Sequence, residues 1–221
     1  MFFNKNNASI GIVGLGRFGM ALAKRLCEVG KEVLVIDQSE SKVKEMRNFT
    51  DFCFVVEDFS KEALHETGIS NCSTVVVCIG EKIDISILAT LNVVSLGVPK
   101  VIAKAISAEQ GFILEKIGAE VVYPERDMAF RIAKKIVSND ILDYMELEGG
   151  FQICEMKVPT RYYNVSIMNS KIRSTYGLNI IAIKRGMKVI VDFTAQDIFQ
   201  EDDVIIVIGK TNQIIEFESI N

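Results

Sequence analysis

The amino-acid sequence predicts an α/β protein: a doubly wound parallel sheet, then one long helix, then a small α+β lobe. Three observations predict it. Short apolar, β-branched runs alternate with helical runs through residues 8–125. A G-x-G-x-x-G element stands between the first such run and the first helix. From about residue 141 the alternation stops. Alternating strands and helices with fully apolar strands require a parallel sheet covered on both faces.

Residues 10–13 read as the first strand and residues 18–29 as a helix, with Ala21, Leu22, Leu26 and Val29 on one stripe. Strands follow at 32–36, 52–56, 74–79, 101–104 and 121–123, and helices at 40–48, 61–67, 84–96 and 108–117. Gly30, Gly68, Gly97 and Gly118 end four of the helical runs. Residues 126–141 then carry a longer helix. Met128, Ala129, Ile132, Ala133, Ile136 and Val137 share one face of it, and Lys134 and Lys135 lie off that face. This stripe must pack on its own chain or on a partner. In residues 142–221 the sequence predicts strands at 151–158, 178–184, 188–193 and 204–208. A short helix at 166–175 ends at Gly177, Arg185-Gly186-Met187 joins a hairpin, and 212–218 closes the chain as a helix.

Composition excludes several classes of function. Of 221 residues, 49% are hydrophobic and 24% charged, enough apolar content to bury a core. The net charge of −4 argues against nucleic acid as a partner, because phosphate neutralisation needs a basic surface. No run reaches the roughly 20 apolar residues of a spanning helix. The N-terminus does not read as a signal peptide, so a cytoplasmic location is expected. Five cysteines without a C-x-x-C pair read as reduced thiols, and a single histidine, His65, disfavours a zinc site or a Ser/His/Asp set.

The glycine element, Gly14-Leu15-Gly16-Arg17-Phe18-Gly19, carries the chemistry. Gly14 permits a tight turn, Gly16 lets backbone N–H groups approach a pyrophosphate, and Gly19 lets the helix pack on the strand. The positive end of the helix dipole then faces the anion. Asp37 ends the second strand 23 residues after Gly14, near the usual spacing of about 20 for a ribose-binding acid. Gln38 follows it. An adenosine nucleotide without a 2′-phosphate fits. Arg17 suits a terminal phosphate and so favours ATP or ADP over NAD, or it is a solvated cation.

Asp58, with Phe59 beside it, either meets the adenine edge or is an acid beside the helix cap Ser60. Cys78, Ile79 and Gly80 end the fourth strand at the same sheet edge. Lys104 ends the fifth, where it reaches phosphate or lies on the surface. Glu125 and Asp127 open the long helix, either as acids favourable to its dipole or, for Glu125, as a divalent-cation ligand.

These residues resemble a known family. Residues 12–19, Val35-Ile36-Asp37, Leu114-Glu115-Lys116-Ile117-Gly118-Ala119 and Pro124-Glu125-Arg126-Asp127-Met128-Ala129 are similar to RCK (KTN) proteins of the KtrA/TrkA type, bacterial potassium-uptake regulators. Tyr176-Gly177, residues 181–184, Asp197 and Asp203 extend the resemblance. It implies a Rossmann-like RCK_N lobe (8–125), a crossover and dimerisation helix (126–141) and an RCK_C lobe (142–221). It implies a non-enzymatic regulatory subunit, and a homodimer assembling into a homo-octameric ring under a membrane-embedded potassium-translocating subunit (Ktr/Trk type). ATP would favour the active ring and ADP the inactive one, with NAD(H) a further ligand.

In that reading Arg17 meets the terminal phosphate, Asp37 the ribose and Asp58 the adenine. Lys104 lies at the pocket edge, and Glu125 meets a divalent cation (Mg or Ca) at the dimer interface. In some relatives the C-lobe binds cyclic di-AMP; Arg173, Ile181, Ala182 and Ile183 are the candidates here. The family often reads Gly-Asp-Ala-Thr after the third strand, where this chain has Glu57-Asp58-Phe59-Ser60. The alternatives are an NAD(H)-dependent oxidoreductase or redox sensor, and a free-standing cyclic di-AMP sensor.

Overall fold

The computed structural model describes residues 9–137 and 141–219. It divides into two compact units, one ending at Met128 and one beginning at Ala129.

The first unit holds six strands: β1 (Ile10–Val13), β2 (Val33–Asp37), β3 (Cys53–Val55), β4 (Thr74–Val77), β5 (Lys100–Lys104) and β6 (Glu120–Val122). They form one parallel sheet in the order β3-β2-β1-β4-β5-β6. The helices are α1 (Arg17–Glu28), α2 (Glu40–Met46), α3 (Lys61–Glu66), α4 (Ile83–Ser95) and α5 (Ala108–Ile117). Side chains alternate across the sheet, as strand geometry demands. Ile12, Val33, Val35 and Val76 share a core with Ala23 of α1 and Val43 and Met46 of α2. Val13, Leu34, Ile36, Val75 and Val77 share another with Leu64 of α3, Ala89 and Val93 of α4 and Leu114 of α5. Two buried faces explain why β2 is apolar at every position but its last. The strand order reverses between β1 and β4, so the crevice at their carboxyl ends is where such sheets bind ligands.

Helix α6 (Pro124–Val137) begins two residues before the predicted start at 126. Proline suits a first helical position, since its missing N–H has no helical partner there. The expected continuation to 141 falls partly on residues 138–140, outside the described residues.

The second unit holds a five-stranded antiparallel sheet in the order β10-β9-β11-β8-β7. Its strands are β7 (Ile141–Leu147), β8 (Phe151–Lys157), β9 (Asn179–Arg185), β10 (Lys188–Ile190) and β11 (Val204–Lys210). Cys154, Met156, Ile205 and Val207 pack with Phe199, Ile214 and Phe217, the last two from α9 (Thr211–Glu218). Buried Asp203 takes a bidentate ion pair from Arg185, at 2.8 Å to each oxygen, and an N–H from Gln200.

Three expectations need correction. Strand β7 was not expected; it is an edge strand in which Asp143 and Glu146 interrupt the apolar pattern. The helix expected at 166–175 is two, α7 (Ile167–Ser170) and α8 (Ile172–Tyr176), because Lys171 adopts φ +52° and breaks the run. The strand expected at 188–193 stops at Ile190.

Candidate functional site

The turn from β1 into α1 is built on two close approaches. Gly14 adopts φ +95°, a region costly for any side chain. A Cβ on Gly19 would overlap the Gly14 carbonyl oxygen, so only glycine lets α1 begin this close to the strand. Gly16 differs: a Cβ there would meet nothing within 4 Å. Its backbone caps α1 without a side-chain cap, and the first turn carries no acid. A helix N-terminus left this way attracts an anion.

This turn lines a cavity of about 310 Å³ through Gly14, Gly16, Arg17 and Phe18. Asp37, Gln38 and Phe59 line it from one side, and Cys78, Ile79, Gly80, Lys104 and Glu125 from the other. Leu15 and Gly19 do not line it. Leu15 is buried in the core and contributes its backbone N–H, which donates to Asp37 Oδ2 at 2.5 Å. Gly19 supplies the helix approach. Asp58 also lies off this cavity; the Ser60 hydroxyl, and then the Ser60 N–H at 2.9 Å from its Oδ1, hold its carboxyl below the usual range. Ser60 in turn caps α3 by accepting the Ala63 N–H.

The sequence reading missed Lys42, Glu81, Lys82 and Ile85, which line the cavity too. Lys42 lies on α2, five residues past Asp37, and Lys82 precedes α4 with no capping side chain on that helix. Three helix starts (α1, α4 and α6) and four cations (Arg17, Lys42, Lys82 and Lys104) therefore border one cavity.

Asp37 is 7% exposed. Besides the Leu15 N–H it accepts the Ser39 N–H at 2.8 Å, and Lys42 Nζ stands 3.9 Å away. Each carboxylate oxygen keeps a lone pair for a ribose hydroxyl. Lys104 is 9% exposed and donates to Glu125 Oε1 at 2.5 Å. That bond, with the charge of Arg17 adding to it, holds the Glu125 carboxyl below the usual carboxylate range. Burial pushes the Cys78 thiol up to about 12, against the opposing pull of Lys104. Cys78 is therefore a protonated wall of the cavity.

A second, more apolar cavity of about 350 Å³ adjoins the first and shares Gln38, Phe59 and Ile85 with it. Leu88, Ala89 and Asn92 of α4, with Asp58 and Ser60, complete it. The Asn92 amide donates to the Phe59 carbonyl at 2.8 Å and fixes that wall. Among the described residues no group of three or more His, Cys, Asp or Glu is placed to hold a metal ion. Glu125 is a single carboxylate. His65 lies on α3, outside both cavities.

In the second unit a cavity of about 630 Å³ is lined by Arg173, Lys171, Ile180, Phe193, Thr194 and Ala195 among others. Arg173 lines it. Ile181, Ala182 and Ile183 do not: Ile181 is 43% exposed elsewhere, and Ala182 and Ile183 are buried. On α6, Met128, Phe130, Ile132 and Ile136 are all exposed. No helix among the described residues is long and apolar enough to cross a membrane.

Comparison with known proteins identifies the family. Residues 10–124 match the TrkA-N domain model and residues 155–221 the TrkA-C domain model. The chain is 41% identical over 208 residues to the Ktr system potassium uptake protein C of Bacillus subtilis, covering 94% of each chain. It is 32% identical over 214 residues to the Ktr system potassium uptake protein A of the same organism, covering 96% of each. A solved TrkA-N domain of the Escherichia coli inner membrane protein ybaL superposes with a TM-score of 0.54 at 19% identity. That match covers 59% of this chain and 97% of the other and shows the shared fold. The chain belongs to the Ktr and Trk family of potassium uptake proteins, whose members carry TrkA-N and TrkA-C (RCK) domains.

Proposed function

We propose that this chain is the nucleotide-sensing regulatory subunit of a potassium uptake system, acting from the cytoplasm on a membrane-embedded potassium-translocating partner. One observation carries the proposal: an uncapped α1 N-terminus, the buried acceptor Asp37 and the cations Arg17 and Lys104 converge on one cavity. The α1 N-terminus takes the α- and β-phosphates. Asp37 takes the ribose hydroxyls, and its charge disfavours a 2′-phosphate. The apolar slot of Phe59, Ile85, Leu88 and Ala89 suits adenine, with Asp58 at its edge. Arg17 and Lys104 then meet a terminal phosphate, so ATP and ADP differ in what they hold. A ligand shifts an equilibrium only by its differential affinity for the two states. Arg17 is where that difference arises.

The subunit acts by binding and not by catalysis, a reading supported by its similarity to potassium uptake proteins. The exposed apolar residues of α6 suit a second copy, within a dimer that builds an octameric ring. A Mg or Ca ion would take Glu125 together with phosphate oxygens, since one carboxylate alone does not complete a divalent site. NAD(H) is a second reading of the same cavity, because the glycine turn and Asp37 serve its adenosine half equally well. The 630 Å³ cavity at Arg173 is large enough for cyclic di-AMP as a further ligand of the C-lobe.

Calorimetric titration with ATP, ADP, NADH and cyclic di-AMP, with light scattering alongside, tests the proposal. Micromolar ATP and ADP binding to a species near eight subunits is expected, and Arg17→Ala should bring the two affinities together. Tight NADH binding to a dimer that ignores ATP would overturn the reading.

A further inference from the structure

The ion pair between Lys104 and Glu125 occupies a particular place. Lys104 ends β5 and is 9% exposed, and its ammonium lines the nucleotide cavity. A buried ammonium must be paired. Among the described residues its ion-pair partner is Glu125, at 2.5 Å. Glu125 is the second residue of α6, and its side chain is 63% exposed. Helix α6 continues through Met128, where the first unit ends, into the second. Gly80 lets the ammonium approach the cavity wall closely: a Cβ there would lie 3.3 Å from Lys104 Nζ. One buried cation thus faces both an anion-binding cavity and the first turn of the helix that leads out of the unit.

We propose that Lys104 is a positioning residue shared between two anions, so that a bound phosphate draws it from Glu125 and releases the first turn of α6. In the ligand-free protein Lys104 holds Glu125. When phosphate oxygens enter the cavity they compete for the same three ammonium protons. The nucleotide spends part of its interaction with Lys104 on breaking the pair. Glu125 is therefore an internal competitor of the ligand, and its removal tightens binding. This rests on the nucleotide reading above and adds the route by which occupancy reaches α6.

The test is a double-mutant cycle read as nucleotide affinity. The full-length protein is titrated with ADP in EDTA, so that no cation bridges Glu125 to phosphate. Glu125→Gln removes the competing charge at an exposed position, and Lys104→Met keeps the buried volume. Glu125→Gln should bind ADP about three- to tenfold more tightly than wild type, a modest gain because water screens Glu125. Lys104→Met should bind about tenfold more weakly. Adding Glu125→Gln to Lys104→Met should change nothing further. Thermal unfolding of each variant excludes misfolding as the cause. Hydrogen exchange gives a second readout: the amides of Asp127, whose N–H donates to the Tyr123 carbonyl, and Met128 should exchange faster in wild type with ADP than without it. In Lys104→Met they should be fast in both conditions. No tightening by Glu125→Gln, or the same tightening in both backgrounds, overturns the inference while leaving the nucleotide site standing. Failure of the wild-type protein to bind any nucleotide overturns the site and the inference together.

Discussion

Asp37→Asn separates the structural and the ligand-binding work of one carboxylate. In the wild type both oxygens are used: Oδ2 accepts the Leu15 N–H at 2.5 Å and Oδ1 the Ser39 N–H at 2.8 Å. An amide has one acceptor oxygen. Whichever way it turns, its NH₂ group faces one of the two N–H donors, and that donor loses its partner. Hydrogen bonds to a charged group contribute about 1.5–3 kcal/mol each, and a buried orphan costs about 1–3 kcal/mol. Asp37 is 7% exposed, so water offsets little of this. A loss of about 2–4 kcal/mol is expected, with the turn at Gly14 loosened. Urea unfolding followed by circular dichroism measures it as a lower midpoint at unchanged slope. The ligand effect is separate. The ribose loses a charged acceptor, so ADP affinity should fall about tenfold or more. The preference for ADP over adenosine 2′,5′-bisphosphate should narrow, because the repelling charge is gone. A variant within 0.5 kcal/mol of wild-type stability (about the size of a neutral surface change) and within about twofold in ADP affinity would refute both roles.

Gly16→Ala should leave stability within about 0.5 kcal/mol, since a Cβ there meets nothing, yet lose tenfold or more in nucleotide affinity. Gly19→Ala should do the reverse first, costing about 1–3 kcal/mol or more through the overlap with Gly14; melting curves and titrations of the two variants distinguish them. Asp203→Ala leaves the Arg185 guanidinium without its buried partner and the Gln200 N–H without an acceptor, and should destabilise the second unit by about 1–3 kcal/mol, because Arg185 itself is partly solvated. The second-unit transition in calorimetry reads this, and an unmoved transition would refute it. Burial raises the Cys72 thiol to about 11 and the Cys78 thiol to about 12, whereas unfolded thiols ionise near 8.5. Above that pH the unfolded chain sheds protons that the folded chain keeps, so stability is full below it and falls as pH rises. Each thiol adds a slope of up to about 1.4 kcal/mol per pH unit. Urea midpoints between pH 8 and 10.5 should fall more steeply in wild type than in Cys72→Ala/Cys78→Ala, and equal slopes would refute the assignment.

Much of the first unit was legible because its signals are local. A parallel sheet buried on both faces needs apolar runs such as 33–36, and a phosphate turn needs its three glycines at fixed spacing. Both patterns sit within a few residues of sequence. The second unit was harder to read. Strand β7 pairs on one side only and tolerates Asp143 and Glu146, so it lacks a clean alternation. Lys171 takes a left-handed conformation that lysine does not advertise, and it divides one expected helix into two.

The sequence by itself determined the sheet class, the glycine turn, Asp37 at the end of β2 and the membership that those residues announce. Only the tertiary structure decided which side chains share the cavity. It brought in Lys42 and Lys82, set Asp58 beside its own helix cap and joined Lys104 to Glu125 across 21 residues. The reason is physical. Backbone turns and sheet burial are fixed by neighbours in the chain, whereas the pairing of a buried charge is fixed by whichever group packing brings within reach. No spacing rule encodes that choice.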